Sequence, residues 1–245
     1  MDLKEFNNTK VKRHPWETAR LRALHNILAP HLFSGIKVLD VGCGDGFISE
    51  NLFSRLQEKE VTAVDIHLTD DQLLRFNSSP GGIRYVRDLP DNGCYDLCML
   101  LDVLEHVEDD AAFLAGIANR YLAGGGRVMI TVPAFQSIYG RHDVKLGHYR
   151  RYSLRGLESL VRSGGLRILS SGYLFASLLL PKHFLCNVLG REDYSEGVGG
   201  WHGGKSLTFI LEKLLDLDNA VLIALSRLGI KIPGLTGWVL CEKPE

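Results

Sequence analysis

The sequence predicts an α/β fold in which a doubly wound, mostly parallel sheet forms one domain over residues 1–245. Short apolar runs rich in β-branched residues alternate with segments of helical periodicity, which is typical of parallel strands covered by helices on both faces. A glycine-rich turn, "GCGDG" at 42–46, follows the first of these runs. Hydrophobic residues make up 45% of the 245 positions, which is enough to bury a large core without disulfides.

The first half of the chain is predicted to contain two helices and four strands. Residues 17–32 form the first helix, because Leu21, Leu24 and Leu28 share one face at helical spacing. A second helix is expected over 47–57. Apolar runs predict strands at 36–41, 61–66, 82–88 and 95–103.

The second half continues the alternation up to a long interruption. Residues 108–126 begin with acids and end in glycines, as a helix does, and Ser153 is expected to cap a helix that ends at Arg162. The stretch 177–233 is too long for a plain connection, so we expect a helical insertion or lid within the single domain. Further strands are predicted at 127–134, 166–176 and 236–244.

The glycine-rich turn is expected to hold a nucleoside-containing ligand, because glycines let the backbone approach closely. A dinucleotide site would need a third glycine where Phe47 stands. Asp40 and Asp45 would also repel a pyrophosphate. S-adenosylmethionine, which carries a sulfonium and an ammonium, suits these acids better.

Four motifs, in order along the chain from Val38 to Val132, resemble the class I S-adenosylmethionine-dependent methyltransferases. They are "LDVGCGDG", "VTAVDIH", "VRDLP" and "YDLCMLLDVLEHV". The resemblance implies a Rossmann-like seven-stranded sheet of order 3-2-1-4-5-7-6, with the last strand antiparallel. It also implies S-adenosylmethionine as the cofactor.

The resemblance assigns cofactor-binding roles to the strand ends. Asp65 would bind the ribose hydroxyls, Asp88 and Leu89 would lie beside the adenine, and Leu101 would lie next to the methionine part. Upstream, Arg20 is a candidate for the methionine carboxylate, although a plain helix start explains it equally well. The complete set expected at the cofactor is Asp40, Gly42, Cys43, Gly44, Gly46, Asp65, Ile66, Asp88, Leu89, Leu101, Asp102 and Arg20.

A second cluster, "YGRHDVKLGHYRRYS" at 139–153, follows the fifth predicted strand. It resembles a loop of uncharacterised bacterial methyltransferases, and its position is where an acceptor would meet the cofactor. The alternative is a polar loop whose arginines pair with acids. Acceptor contacts are expected from Tyr139, Asp143, Tyr149, Arg150 and Arg151, the arginines favouring an anionic acceptor. Histidine can remove a proton near neutral pH, and the catalytic candidates are His106, His142 and His148.

The expected function is therefore methyl transfer to oxygen on a small-molecule or lipid-like acceptor. Two alternatives remain open. Gly199, Gly204, Lys205 and Ser206 match the letters of a nucleotide-binding P-loop, but a polar stretch stands where the preceding strand should be. The chain could also be a binding module that holds the cofactor without using it.

Charge, cysteine content and hydropathy argue against several other classes of protein. The net charge of -1 argues against a nucleic-acid partner. Five cysteines without a CxxC pair predict reduced thiols in the cytoplasm, and we expect no metal site. No stretch reaches the roughly 18 apolar residues of a transmembrane helix. The apolar runs at 173–180 and 219–235 suit a lid, a dimer face or peripheral membrane contact, which leaves the oligomeric state open.

Overall fold

A computed structural model describes residues 13–78, 81–187 and 201–245. Its seven strands form one sheet of order β3-β2-β1-β4-β5-β7-β6, which confirms the predicted fold. The strands are β1 Ile36–Val41, β2 Lys59–Val64, β3 Ile83–Val86, β4 Tyr95–Leu101, β5 Leu122–Pro133, β6 Arg167–Leu174 and β7 Thr236–Glu242.

The strand directions agree with the predicted topology. β1 pairs in parallel with β2 and β4, and β4 pairs in parallel with β5. β7 is antiparallel to both β5 and β6. The carboxyl ends of β1 to β6 therefore lie along one edge of the sheet, where ligands bind in open α/β folds.

Eight α-helices flank this sheet in the described residues. They are α1 Pro15–Leu28, α2 Phe47–Leu52, α3 Asp70–Asn77, α4 Asp110–Tyr121, α5 Arg141–Leu146, α6 Leu154–Ser163, α7 Ala176–Asn187 and α8 Lys205–Arg227. Apolar residues of α4 and α6 pack into a core on one face of the sheet, and those of α1 and α8 pack into a core on the other. No helix in the described ranges is long and apolar enough to cross a membrane.

Local signals explain where the helices begin. His14 caps α1 in a capping box with Glu17, and Pro15 occupies the first helical position. Ser153 caps α6 as predicted, accepting a hydrogen bond from the Gly156 N–H.

Several predicted boundaries differ from the structure, most of all at β5 and α2, and helices α3 and α5 were not predicted. β5 begins at Leu122, five residues before the predicted start, because the glycines of "LAGGG" lie within the strand rather than after a helix. α2 ends at Leu52, so the helix predicted to residue 57 is shorter.

The stretch 177–233 contains most of α7 and all of α8. Leu215, Leu222 and Ile223 of α8 are buried, and this helix packs against α1 and β6. Its N-terminus carries the P-loop letters, but Gly199 lies outside the described residues and 201–204 form no strand. Large apolar side chains nevertheless remain exposed on the two helices, namely Leu180, Phe184, Phe209, Ile210, Leu214 and Leu217.

Candidate cofactor and acceptor site

The glycine-rich turn at 42–46 has a backbone that only glycine adopts without strain. Gly42 and Gly46 have φ angles of 73° and 77°. A Cβ on Gly42 would lie 2.6 Å from Cγ2 of Val103, and one on Gly46 would lie 2.3 Å from the hydroxyl of Tyr85. The turn is thus held tightly against its neighbours.

Asp65, immediately after β2, is bonded to this turn. Its Oδ2 accepts a hydrogen bond from the Gly44 N–H at 3.0 Å, and its Oδ1 accepts one from the His67 N–H at 2.9 Å. The carboxylate is half-buried, and the next side chain, Ile66, is 73% exposed. A carboxylate beside an exposed apolar side chain suits a ligand that has both a sugar and a base.

Asp40 and Asp45 are both engaged within the protein. Asp40 is buried beneath the turn and accepts a hydrogen bond from Ser49 Oγ at 2.6 Å. Burial raises the pKa of Asp40 to about 6, although the Ser49 bond opposes the shift. Asp45 pairs with the guanidinium of Arg13, so it offers less open negative charge than the sequence suggested.

Arg20 is paired with Asp102, which follows β4 and has a φ of 58°. Nη1 of Arg20 lies 2.9 Å from Oδ2 of Asp102, and its Nη2 donates to Oγ1 of Thr131 at 2.8 Å. Thr131 in turn donates to Oδ1 of Asp102 at 3.0 Å. The guanidinium expected to bind a methionine carboxylate is thus neutralised by Asp102.

The remaining expected cofactor residues lie at neighbouring strand ends. Leu101 ends β4 and is 8% exposed, whereas Asp88 is exposed and Leu89 packs partly on the core. The side chain of Cys43 is buried, and burial followed by the nearby Asp40 raises its pKa. The thiol of Cys43 is therefore protonated and packed within the protein.

The second cluster is organised around the buried Asp143. This carboxylate accepts hydrogen bonds from the Gly140 N–H at 2.9 Å and from Nε of Arg151 at 2.9 Å, and it lies 2.8 Å from Nδ1 of His148. Burial acts to raise the pKa of Asp143, but the bonds from His148 and Arg151 hold it well below its usual range. Asp143 therefore serves as an anchor within the loop and is not placed to contact an acceptor, in contrast to the sequence expectation.

The two arginines expected to bind an anionic acceptor are also engaged. Arg151 is buried against Asp143, and Nη1 of Arg150 lies 3.0 Å from Oδ2 of Asp110. The geometry here matches the alternative of a polar loop with internal ion pairs. By contrast, Tyr149 is 53% exposed and stays accessible to an acceptor.

The catalytic candidates His106 and His148 come together although 42 positions separate them. Their rings meet edge to face with centroids 4.6 Å apart. The Tyr139 hydroxyl donates to the backbone oxygen of His148 at 2.7 Å. His142 lies on α5, and burial followed by the nearby Lys182 lowers its pKa, which keeps it neutral near pH 7.

Sequence reasoning missed Glu105. This residue is fully buried, and burial followed by the nearby Asp102 raises its pKa well above the usual range. Neither carboxylate oxygen has a hydrogen-bond partner in the described parts of the chain. The "EH" dipeptide after the fourth strand could have indicated a functional role for Glu105. Its distance from His148 along the chain, however, gave no sign that the two residues are close in space.

The sheet order and the glycine-rich strand end define a class, the proteins with the doubly wound methyltransferase fold. A family model described as a methyltransferase domain matches residues 13–171, which is more than half of the chain. The chain belongs to this methyltransferase domain family. The match includes β1 to β5 and the loop at 139–152.

Similar proteins support this membership. The ubiquinone biosynthesis O-methyltransferase of Xanthomonas axonopodis pv. citri (strain 306) is 32% identical over 127 residues, covering 49% of this chain and 51% of that protein. The chain spans about half the length of the curated relatives it matches.

Solved structures show the same fold. The 1,6-didemethyltoxoflavin-N1-methyltransferase of Burkholderia thailandensis has a TM-score of 0.57 at 18% identity, over 94% of this chain and 80% of that one. The [4+2]-cyclase SpnF has a TM-score of 0.59 at 17% identity, over 98% of this chain and 86% of that one. Because one of these is a cyclase, the fold by itself does not fix the chemistry.

Proposed function

We propose that the protein is an S-adenosylmethionine-dependent methyltransferase that acts on an oxygen of a small-molecule acceptor. The observation that carries this proposal is the methyltransferase-domain match over 13–171, because it includes the ends of β1 to β5. The names of the curated relatives, which are O-methyltransferases, support oxygen as the acceptor atom.

The residues at the strand ends fit the cofactor. Asp65 retains acceptor capacity for the ribose hydroxyls after binding Gly44 and His67. The exposed Ile66 offers an apolar surface to the adenine, with Asp88 and Leu89 on the neighbouring strand end. The carboxylate of Asp102, 30% exposed and held by Arg20, keeps acceptor capacity for a hydrogen bond from the ammonium of the methionine part.

When bound, S-adenosylmethionine supplies an activated methyl group on its sulfonium. What remains for the chain is to orient the acceptor oxygen in line and to exclude water. The loop at 139–152 follows β5 on the same edge of the sheet, and we assign the acceptor contacts to its exposed Tyr149 and its Tyr139. His106, His142 or His148 would take the hydroxyl proton, and His142 alone would be left for this role if the other two hold a metal ion.

A lipid-like acceptor suits the apolar groups near this edge. An open groove of about 380 Å³ lies between Arg13 and the start of α8, where Phe209 lies beside the polar Lys205, Thr208 and Glu212. The support for a lipid-like acceptor therefore comes from the exposed apolar side chains of α7 and α8 and not from this groove. Arg13 also pairs with Asp45 of the glycine-rich turn, so the groove adjoins the cofactor loop. Peripheral contact of α7 and α8 with a lipid surface belongs to the same proposal. We also propose a cytoplasmic location, in keeping with the free thiols of Cys43, Cys94, Cys98 and Cys241.

The rival functions have less support. The family match ends at residue 171, so it gives no support to a nucleotide-binding P-loop at Gly199 to Ser206. A binding module without turnover would share the cofactor site and differ only in the acceptor test.

The test is methyl transfer from labelled S-adenosylmethionine to a panel of phenols, catechols and prenylated phenols. We expect product with a hydroxylated aromatic and none with its O-methylated counterpart. Binding of the cofactor without transfer to any acceptor would favour the binding module. Thermal stabilisation by ATP, absent in Lys205→Ala, would favour the P-loop.

A further inference from the structure

We propose that Glu105, His106 and His148 form a binding site for a divalent metal ion of the zinc type. The site lies beyond the carboxyl end of β4, three residues after Asp102. No zinc site was expected from the sequence, because that expectation rested on cysteine spacing. The ligand set here is two imidazoles and one carboxylate.

Ligand geometry supports the site. A carboxylate oxygen of Glu105 and one ring nitrogen from each histidine all lie within 4.8 Å of one another. In a tetrahedral zinc site with bonds of about 2.0–2.1 Å, ligand atoms lie roughly 3.3 Å apart. Side-chain shifts of the order of 1 Å would therefore close the cluster on an ion.

The state of Glu105 is an independent indication. The side chain is fully buried, yet neither oxygen has a hydrogen-bond partner in the ranges the structure describes. A buried carboxyl without a partner costs free energy, and buried charges in proteins are paired or coordinate metals. An ion held between Glu105 and the histidines would supply the missing partner.

His148 is oriented as a metal ligand would be. Its Nδ1 lies 2.8 Å from Oδ1 of Asp143, which leaves Nε2 as the nitrogen for an ion. Asp143 is in turn fixed by Arg151 and by the Gly140 N–H. A carboxylate behind a ligating histidine is the usual outer-shell arrangement at metal sites, and it fixes the tautomer.

The two segments that carry the ligands are tied together by hydrogen bonds. The Tyr149 N–H donates to the backbone oxygen of Glu105 at 2.7 Å, and the Tyr152 hydroxyl lies 3.0 Å from the backbone oxygen of Leu104. Arg150 donates to the backbone oxygen of Glu108 at 2.7 Å. The cluster is thus preorganised across a gap of about 40 positions in the sequence.

Three protein ligands leave an open coordination position, as in catalytic zinc sites. Provided that the proposed function is correct, this position would bind the acceptor oxygen beside the cofactor and lower the pKa of its hydroxyl. The hydroxyl proton would pass to His142 or to solvent, and the acceptor oxygen would take the methyl group from the sulfonium, which leaves as the neutral thioether. This role rests on the proposed function, whereas the metal site itself does not.

The test is zinc titration of the untagged 245-residue chain after removal of metals, in the absence of cofactor. Calorimetry should give one tight site per chain, and Co²⁺ should give the visible absorption of a low-symmetry complex. Glu105→Gln and His148→Ala should each weaken zinc binding at least 100-fold. Asp143→Asn, which alters a positioning residue, should weaken it about 10–100-fold.

His25→Ala is the matched control, since His25 is exposed on α1 outside the cluster. It should leave the zinc affinity within twofold of the parent. Glu105→Gln replaces a buried carboxyl by an amide of the same shape and should remain folded by thermal unfolding, so it keeps the test valid if His148→Ala does not fold. No stoichiometric zinc binding by the parent chain, or equal affinity in Glu105→Gln, would overturn the site.

The two proposals fail separately. Zinc bound through these residues, without methyl transfer to any acceptor, would keep the metal site and count against the proposed function. Methyl transfer by a chain that binds no zinc would support the proposed function and count against the metal site.

Discussion

Replacing Asp65 by alanine tests the cofactor site most directly. In the structure its carboxylate holds the N–H groups of Gly44 and His67, at 3.0 and 2.9 Å. In the proposed complex it also accepts two hydrogen bonds from the ribose. Each hydrogen bond to a charged group contributes about 1.5–3 kcal/mol, so binding should lose about 3–6 kcal/mol.

Since each 1.4 kcal/mol is a factor of ten, the Kd should rise roughly 10²–10⁴-fold. The assay is calorimetry with S-adenosylhomocysteine, which avoids turnover. The two bonds from backbone N–H groups, at the same value, contribute about 3–6 kcal/mol against a typical stability of about 5–15 kcal/mol, so folding of the variant is checked by thermal unfolding before the titration.

Asp71→Ala is the matched control. Asp71 is an exposed acid in the first turn of α3, so its removal makes the same charge change away from the strand end. We expect its affinity to stay within twofold. An Asp65→Ala protein that is folded and binds within threefold of the parent would refute the assignment of the ribose site to this edge.

Two further predictions concern stability, both measured by urea unfolding without cofactor. Gly46→Ala should lower the free energy of unfolding by more than about 1 kcal/mol, because the new Cβ would meet Tyr85 and the residue has a φ of 77°. Gly116→Ala, on α4, has open space around its Cβ and should raise the free energy of unfolding by about 0.5–1 kcal/mol. Equal effects of the two substitutions would contradict the strain argument. Burial raises the pKa of Asp40 from its ordinary value of 3.8 to about 6, so the native state binds this proton more tightly than the unfolded state. The contribution of Asp40 to the free energy of unfolding therefore falls as pH rises from about 4 to 6. Asp40→Asn should remove about 2–3 kcal/mol of that decline, and an unchanged pH slope in the variant would show that Asp40 ionises normally.

Sequence reasoning succeeded for the fold because the signals are local. β-branched runs marked the strands, and the family resemblance carried by four ordered motifs implied the strand order and the antiparallel β7. The start of β5 was misplaced because a run of glycines is typical of a helix end. In the structure these glycines lie within β5, where Gly126 is close to Tyr95 and Leu122.

The site was harder to predict because its side chains pair across long gaps. Arg150 was expected to meet an anionic acceptor, but it pairs with Asp110, 40 positions earlier. Arg20 pairs with Asp102, 82 positions later. Spacing along the chain carries no information on such pairs, so sequence located the charged residues but not their partners.

The strained backbone positions indicate how the site is built. Within the described ranges, three non-glycine residues have a positive φ: Asp102 at 58°, Phe135 at 63° and Phe175 at 62°. They follow β4, β5 and β6, so all lie along the edge that we assign to the cofactor and the acceptor. Such conformations cost about 1–3 kcal/mol each and persist only where the surroundings enforce them.

Each of these positions has a specific restraint. Asp102 is held by Arg20, and the Phe135 N–H donates to the backbone oxygen of Tyr152. The Phe175 N–H donates to Oδ1 of the buried Asn219 at 2.9 Å, which ties α8 to the end of β6. A helix that restrains a strained strand end cannot move away without releasing it. This connection favours α8 as a fixed wall of the site rather than as a moving lid.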